Sequence, residues 1–233
     1  TSLSESLSPA ENFDFLNGFL KRIAPAINQH NGFISQYFGD GIMALFLDQP
    51  EDALSAAIGM IKSLQHYNSE RAQKDRRPIQ LGIGIHTGSL MMGILGNQHH
   101  QQATVVSDAV NIASRLEGLT KFYQASVIIS REVADNISNE NSYCNRFLGK
   151  VRVKGKRSLI SVYEIFECDG ISQKELKNKA DIPFQKGLDC YFKKDFIGAV
   201  TFFKEALEIY PDAMVIQRYF ENAAKLITKK IPE

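Results

Sequence analysis

The stretch Phe33-Ile34-Ser35-Gln36-Tyr37-Phe38-Gly39-Asp40-Gly41-Ile42-Met43-Ala44-Leu45-Phe46-Leu47 decides the fold. Two apolar runs flank Gly39-Asp40-Gly41, which predicts two strands joined by a tight turn. Ile42 to Leu47 carries no polar residue, the pattern of a strand buried on both faces within a sheet. Asp40 then stands at the tip of a stiff hairpin, a usual place for a binding group. From this stretch alone two readings stay open. Asp between glycines is first of all ordinary turn chemistry, which this stretch by itself favours; the alternative is a carboxylate presented for function.

Outward from the hairpin, the elements alternate. On its N-terminal side, Ser8-Pro9-Ala10-Glu11 has the composition of a capped helix start. Phe15, Leu16, Phe19, Leu20, Ile23 and Ile27 follow at helical spacing, and Gly32 is expected to end that helix. On the C-terminal side, Glu51 to about Ala72 is a second amphipathic helix, with Ala53, Ala57, Ile61 and Leu64 on one face. Ile79 to Gly96 reads as two strands, with Thr87-Gly88 as the turn. Glycines at 82, 84 and 88 predict that another backbone or a ligand passes close by. Thr104-Val105-Val106 is extended, and Ser107-Asp108 cap a helix running to about Phe122. A strand at Val127–Ile129, a short helix from Ser130, and strands at 147–154 and 160–166 complete the pattern. The order predicts an α/β (α+β) sandwich with a mixed, mainly antiparallel sheet and helices on one face.

The character changes after Cys168-Asp169-Gly170. Residues 171–180 are polar and lysine-rich, and from Pro183 onward the pattern is helical. Gly187, Ala199, Phe203, Ala206 and Pro211 match the spacing of a tetratricopeptide helix-turn-helix, with a plain helical hairpin as the alternative. The expected organisation is a first domain at 1–168, a linker at 169–182 and a small all-α, tetratricopeptide-like region at 183–233. One such repeat cannot bury its own face. It is therefore expected to cap the first domain, a dimer partner or another protein.

Bulk properties narrow the classes. The chain has 233 residues, 44% of them hydrophobic, and a net charge of +1. It can bury a core, and it lacks the strong positive charge that would point to nucleic acid. No apolar run approaches the ~20 residues of a membrane span. Cys144, Cys168 and Cys190 are scattered and form neither a disulfide framework nor a zinc motif, so a cytoplasmic location is expected. The sequence opens without a Met, and a longer parent is expected. That parent could be membrane-tethered upstream of Thr1.

Two constellations could carry chemistry. Asn111 and Arg115 are neighbours on one helix face. An amide beside a guanidinium could bind a sugar hydroxyl and a phosphate, or could be a solvated stripe. Lys150, Arg152 and Lys154 alternate with Val151 and Val153, which puts three cations on one strand face. That face is either a surface-exposed strand or a triphosphate clamp.

Together these pieces resemble one family. Phe38-Gly39-Asp40-Gly41-Ile42-Met43-Ala44-Leu45-Phe46, Gly82-Ile83-Gly84-Ile85-His86-Thr87-Gly88, Thr104 through Glu117, Arg152-Val153-Lys154-Gly155-Lys156 and Val162-Tyr163-Glu164-Ile165 are similar to the motifs of the class III adenylyl/guanylyl cyclase catalytic domain, in order and spacing. The resemblance covers Thr1 to about Phe166 and implies a ferredoxin-like cyclase sandwich. It implies a phosphorus-oxygen lyase, an adenylate cyclase converting ATP to 3′,5′-cyclic AMP and pyrophosphate with two Mg²⁺ or Mn²⁺ ions, in signal transduction. It gives Asp40 as a metal ligand and Asn111 as the residue that orients the ribose. Arg115 stabilises charge on the α-phosphate, Lys154 binds the triphosphate, and Gln36 and Thr104 recognise the base. It also implies a homodimer whose shared sites take Asp40 from one subunit and Asn111, Arg115 and Lys154 from the other.

Three further expectations come with it. The family's first strand carries the other metal aspartate and ends in a Thr matching Thr1, so that strand is expected upstream, with a sensor region before it. Gln36 stands where adenylyl cyclases have Lys and guanylyl cyclases Glu; Thr104 matches bacterial adenylyl cyclases, and ATP is favoured over GTP. Besides a guanylyl cyclase, the alternative of another class is an inactive pseudo-cyclase that acts as a regulatory or interaction module.

Overall fold

The computed structural model describes residues 8–96, 101–137, 143–152 and 159–228, and their side chains except at 95, 96 and 101–104. Helix α1 (Pro9–Gln29) starts where its cap predicts. The Glu11 N–H donates to Ser8 Oγ at 3.4 Å while the Ser8 N–H donates to Glu11 Oε2 at 2.9 Å, a reciprocal pairing that satisfies two otherwise orphaned donors. The apolar stripe of α1 buries Phe19, Ile23, Ala26 and Ile27. The residue that turns the chain after α1 is Asn31, with φ 59°, not Gly32. Gly32 opens the next strand and is small for a different reason: a Cβ there would overlap the Phe46 ring.

Strands β1 (Gly32–Phe38) and β2 (Gly41–Phe46) form the expected antiparallel hairpin. Ile34, Ile42, Ala44 and Phe46 pack beneath α1 and α2 (Pro50–Ala72). The expectation that the second strand is buried on both faces is not met. Leu45 is its one fully buried residue, and Leu47 just beyond it is 67% exposed. Among the described residues β2 pairs with β1 alone; Ile42, Ala44 and Phe46 turn toward α1 and α2 and are only partly buried there, while Leu45 turns to the opposite face.

A second sheet has the order β3 (Ile83–Ile85), β6 (Val127–Ser130), β8 (Leu159–Ile165), β7 (Asn145–Arg152). The β3–β6 pair is parallel and the other two are antiparallel. Strands β4 (Met91–Gly96) and β5 (Gln101–Val106) make a separate antiparallel hairpin. The sheet is thus mixed and mainly antiparallel, as expected. Helices lie on both of its faces rather than one. Val127, Ile129 and Ile165 bury against α2 and the short α4 (Arg131–Ala134), whereas Ile128, Ile160 and Val162 bury against α3 (Asp108–Tyr123) and the C-terminal helices. Successive strand residues point to opposite faces, so an unbroken Val-Ile-Ile run needs cover on both.

The C-terminal helices are α5 (Ile171–Phe192), α6 (Phe196–Ile209) and α7 (Met214–Thr228). The polar stretch 171–182, expected as linker, is the first half of α5. Its Lys177 is only 6% exposed and donates to Glu164 Oε1 at 2.6 Å, with Asp169 as a second partner. A lysine-rich stretch reads as solvated when its carboxylate partners lie elsewhere in the chain. Between α5 and α6, Gly187 lies against the Phe203 ring, where any Cβ would overlap it. Ala199, Phe203 and Ala206 are fully buried.

Candidate active site

Helix α3 is fixed from below by glycines. A Cβ at Gly84 would overlap the α3 backbone at Ala113 O and Glu117 N, and one at Gly82 would overlap the Thr120 side chain. The close approach predicted at these positions is therefore made by α3, through its backbone at Gly84 and through the Thr120 side chain at Gly82. At its start, Ser107 Oγ accepts from the Ala109 N–H at 2.9 Å and donates to Ser89 O at 2.6 Å, which ties the cap to the loop before β4. At its end, Gln124 takes the left-handed conformation at φ 53°. Ile112, Leu116, Thr120 and Tyr123 form the buried face. The 3.6-residue period then turns Asn111 and Arg115 outward, and both are exposed. An amide and a guanidinium thus stand one turn apart on a helix whose register is set by close backbone packing.

Asp40 sits at the exposed tip of the β1–β2 hairpin. Phe38 pairs with Gly41, leaving Gly39-Asp40 as a two-residue loop, and Gly39 supplies the left-handed φ of 62° that such a loop needs at its first position. Gln36 is half-buried on β1 opposite Met43, just after a bulge at Ser35. A bulge re-aims the side chains beside it. Thr104 lies on β5 opposite Gly93. Lys150 and Arg152 are exposed on β7, and Lys154 lies outside the described residues.

The candidates therefore fall into groups. Asp40 and Gln36 share the hairpin under α1, Asn111 and Arg115 share α3, and Lys150 and Arg152 lead along β7 toward position 154. Among the described residues no group of three or more His, Cys, Asp or Glu side chains could hold a metal ion. Asp40 offers the hard carboxylate oxygen that Mg²⁺ or Mn²⁺ accepts, and such ions are commonly held by one or two carboxylates plus substrate phosphates. The donor thus fits as one ligand of a divalent ion.

Beside these, His86 Nδ1 lies 2.7 Å from Ser130 Oγ, which joins the ends of β3 and β6. Sequence reasoning missed a second support of α3. Arg218 of α7 donates from Nε to Phe122 O at 2.8 Å, and its guanidinium lies 3.8 Å from the centre of the Phe122 ring. No local pattern could have announced a contact between positions 96 apart.

The adenylate and guanylate cyclase catalytic domain model matches residues 1–166. An adenylate cyclase of Anabaena cylindrica is 45% identical over 171 residues, covering 71% of this chain and 34% of that protein. The terminal-differentiation-specific adenylate cyclase of Dictyostelium discoideum is 32% identical over 241 aligned positions, covering 99% of this chain and 11% of that protein. The chain thus spans about a third or less of these relatives. Among solved structures, the guanylyl cyclase Cya2 superposes with a TM-score of 0.60 at 28% identity, covering 70% of this chain and 84% of that one.

Proposed function

Because the chain belongs to the adenylate and guanylate cyclase catalytic domain family, we propose that it converts ATP to 3′,5′-cyclic AMP and pyrophosphate. The observation that carries this reading is the pair Asn111 and Arg115, exposed one turn apart on a helix seated on Gly84. In the reaction the ribose 3′-oxygen attacks the α-phosphorus in line, the bond from that phosphorus to the bridging oxygen breaks, and pyrophosphate leaves. The hydroxyl proton passes to solvent. Asn111 holds the ribose so that the hydroxyl faces the phosphorus. Arg115 donates to the α-phosphate oxygens as charge develops there. Lys154 binds the triphosphate, whose outer two phosphates leave as pyrophosphate, and Asp40 anchors the cation side of the site. Divalent ions, Mg²⁺ or Mn²⁺, supply Lewis-acid stabilisation of the attacking and leaving oxygens when bound. Gln36 and Thr104 read the base; an amide and a hydroxyl can both donate and accept, which suits the adenine edge.

The site is shared between two copies of the chain. Support comes from the β4–β5 hairpin, where Met91, Ile94 and Val106 are 74%, 71% and 64% exposed. Such an apolar ribbon is the kind of surface a partner covers. Asp40 and Gln36 of one copy then meet Asn111, Arg115 and Lys154 of the other. The strand carrying the second metal aspartate has a place as well, since β2 and β3 each have one unpaired edge among the described residues. Both contribute to the cluster under α1 and α2. No helix among the described residues is long and apolar enough to cross a membrane. We assign residues 1–168 to the catalytic unit and the helices after it to a tetratricopeptide-like region.

The second reading is a guanylyl cyclase, favoured by the superposition on Cya2. Side-by-side turnover of ATP and GTP by the full-length protein with Mn²⁺ tests both. The reading expects cyclic AMP as the main product. Mainly cyclic GMP would favour the second reading, and no cyclic nucleotide from either substrate would leave a pseudo-cyclase.

A further inference from the structure

The C-terminal helices touch α3, which bears Asn111 and Arg115, and β7, the strand that precedes Lys154 in the chain. On α3, Arg218 donates to Phe122 O at 2.8 Å and covers the Phe122 ring. The last carbonyls of a helix lack partners within it, and a cation is favoured at that end. Next along α7, Tyr219 is 9% exposed and hydrogen-bonds through its side chain to Tyr123. On β7 the same Tyr219 hydroxyl fills the space beside Gly149, where any Cβ would overlap it. Gly149 has φ 126° and sits at the bulge where β7 slips register against β8.

Two neighbouring residues of α7 thus bridge the end of α3 and the bulge of β7. Arg115 lies two helical turns before Phe122, about 10 Å along the axis at 1.5 Å per residue. Lys150 follows the bulge directly, and Lys154 comes four residues later. The brace is itself anchored. Glu164 on β8 accepts from Arg146 of β7 and Lys177 of α5, each at 2.6 Å, and Gln185 of α5 donates to Phe147 O at 3.0 Å. Tyr219 packs edge-on against Phe184 and Tyr191 of α5.

We propose that α7 is a positioning brace for the arginine-bearing half of the site, with Arg218 and Tyr219 setting α3 relative to β7. The inference rests on the proposed cyclase reading. Loss of the brace misplaces Asn111 and Arg115 by a fraction of an ångström or more, and such shifts cost turnover rather than fold.

The brace acts only on the half-site of its own subunit, and that makes it testable. In a heterodimer of full-length Asp40→Ala and Arg115→Ala chains, the one intact site takes Arg115 from the Asp40→Ala chain. Arg218→Ala placed in the Asp40→Ala chain should lower kcat about tenfold with KM for ATP little changed. Placed in the Arg115→Ala chain it should leave turnover unchanged. Arg218→Lys, which keeps the cation and a donor, should restore most of the loss. Tyr219→Phe, which keeps the ring, serves as a second variant with the same expected asymmetry. Heterodimers are isolated by two different affinity tags, so assembly is known before turnover is read. Equal loss in either chain, or loss in neither, would overturn the brace. If the parent mixture itself gives no activity, the shared-site reading fails first and takes this inference with it.

Discussion

Gly84 of β3 lies directly beneath Ala113 of α3, so closely that a Cβ would overlap the helix backbone. This contact places the helix that bears Asn111 and Arg115. Gly84→Ala must lift α3 or bend β3, and overpacking of this kind costs about 1–3 kcal/mol. Thermal unfolding should show that loss of stability. Turnover should fall further than the stability loss explains, because the lifted helix carries Arg115.

Arg115 is exposed, and its removal leaves no cavity. Arg115→Ala should therefore leave the melting temperature within a degree or two. It should lower kcat by about 10²–10³, the cost of losing a donor aimed at developing charge. Steady-state production of cyclic AMP checks this. Wild-type turnover in the variant would remove Arg115 from the chemistry.

Gln36 is the proposed point of base choice. A carboxylate accepts from the guanine N–H groups where an amide presents a mixed edge. Gln36→Glu should shift the ratio of kcat/KM for GTP over ATP upward about tenfold, the worth of one hydrogen bond to a charged group. An unchanged ratio would place base recognition elsewhere.

Glu164 is 2% exposed and holds two cations, Arg146 and Lys177. Glu164→Gln leaves Arg146 without its carboxylate partner in a buried place, while Lys177 keeps Asp169; breaking such a buried pair costs about 3–5 kcal/mol. Denaturant unfolding reads this directly.

Nearby, the Cys144 N–H and the Lys174 ammonium hold the Glu167 carboxyl down at about 2, from an ordinary 4.5. A depressed carboxylate stabilises the fold fully above its unfolded value and loses that contribution as pH falls through its folded value. The stability gap between wild type and Glu167→Gln should be constant above pH about 5 and shrink between pH 4.5 and 2. A gap independent of pH would mean that the pairing contributes nothing.

Much of the fold was legible in local chemistry. The Ser8 and Ser107 caps, the Gly39-Asp40 turn and the glycines under α3 each follow from what one residue type can do at one position. Asn111 and Arg115 were legible as a pair because helical spacing alone puts them side by side. What sequence did not show depends on distant partners. Lys177 reads as a solvated charge until Glu164 is brought to it. Arg218 and Phe122 meet only after α5, α6 and α7 fold over α3. Cover on both faces of the sheet was written in Val127-Ile128-Ile129, yet the helices that supply it lie on either side in the chain.

If two chains complete one another's sites, mixing single variants restores activity that neither variant has alone. Full-length Asp40→Ala and Arg115→Ala homodimers should each be inactive. Their isolated heterodimer should recover about half of the wild-type activity, one intact site of two by the two-fold symmetry. A heterodimer as inactive as either parent would contradict the account.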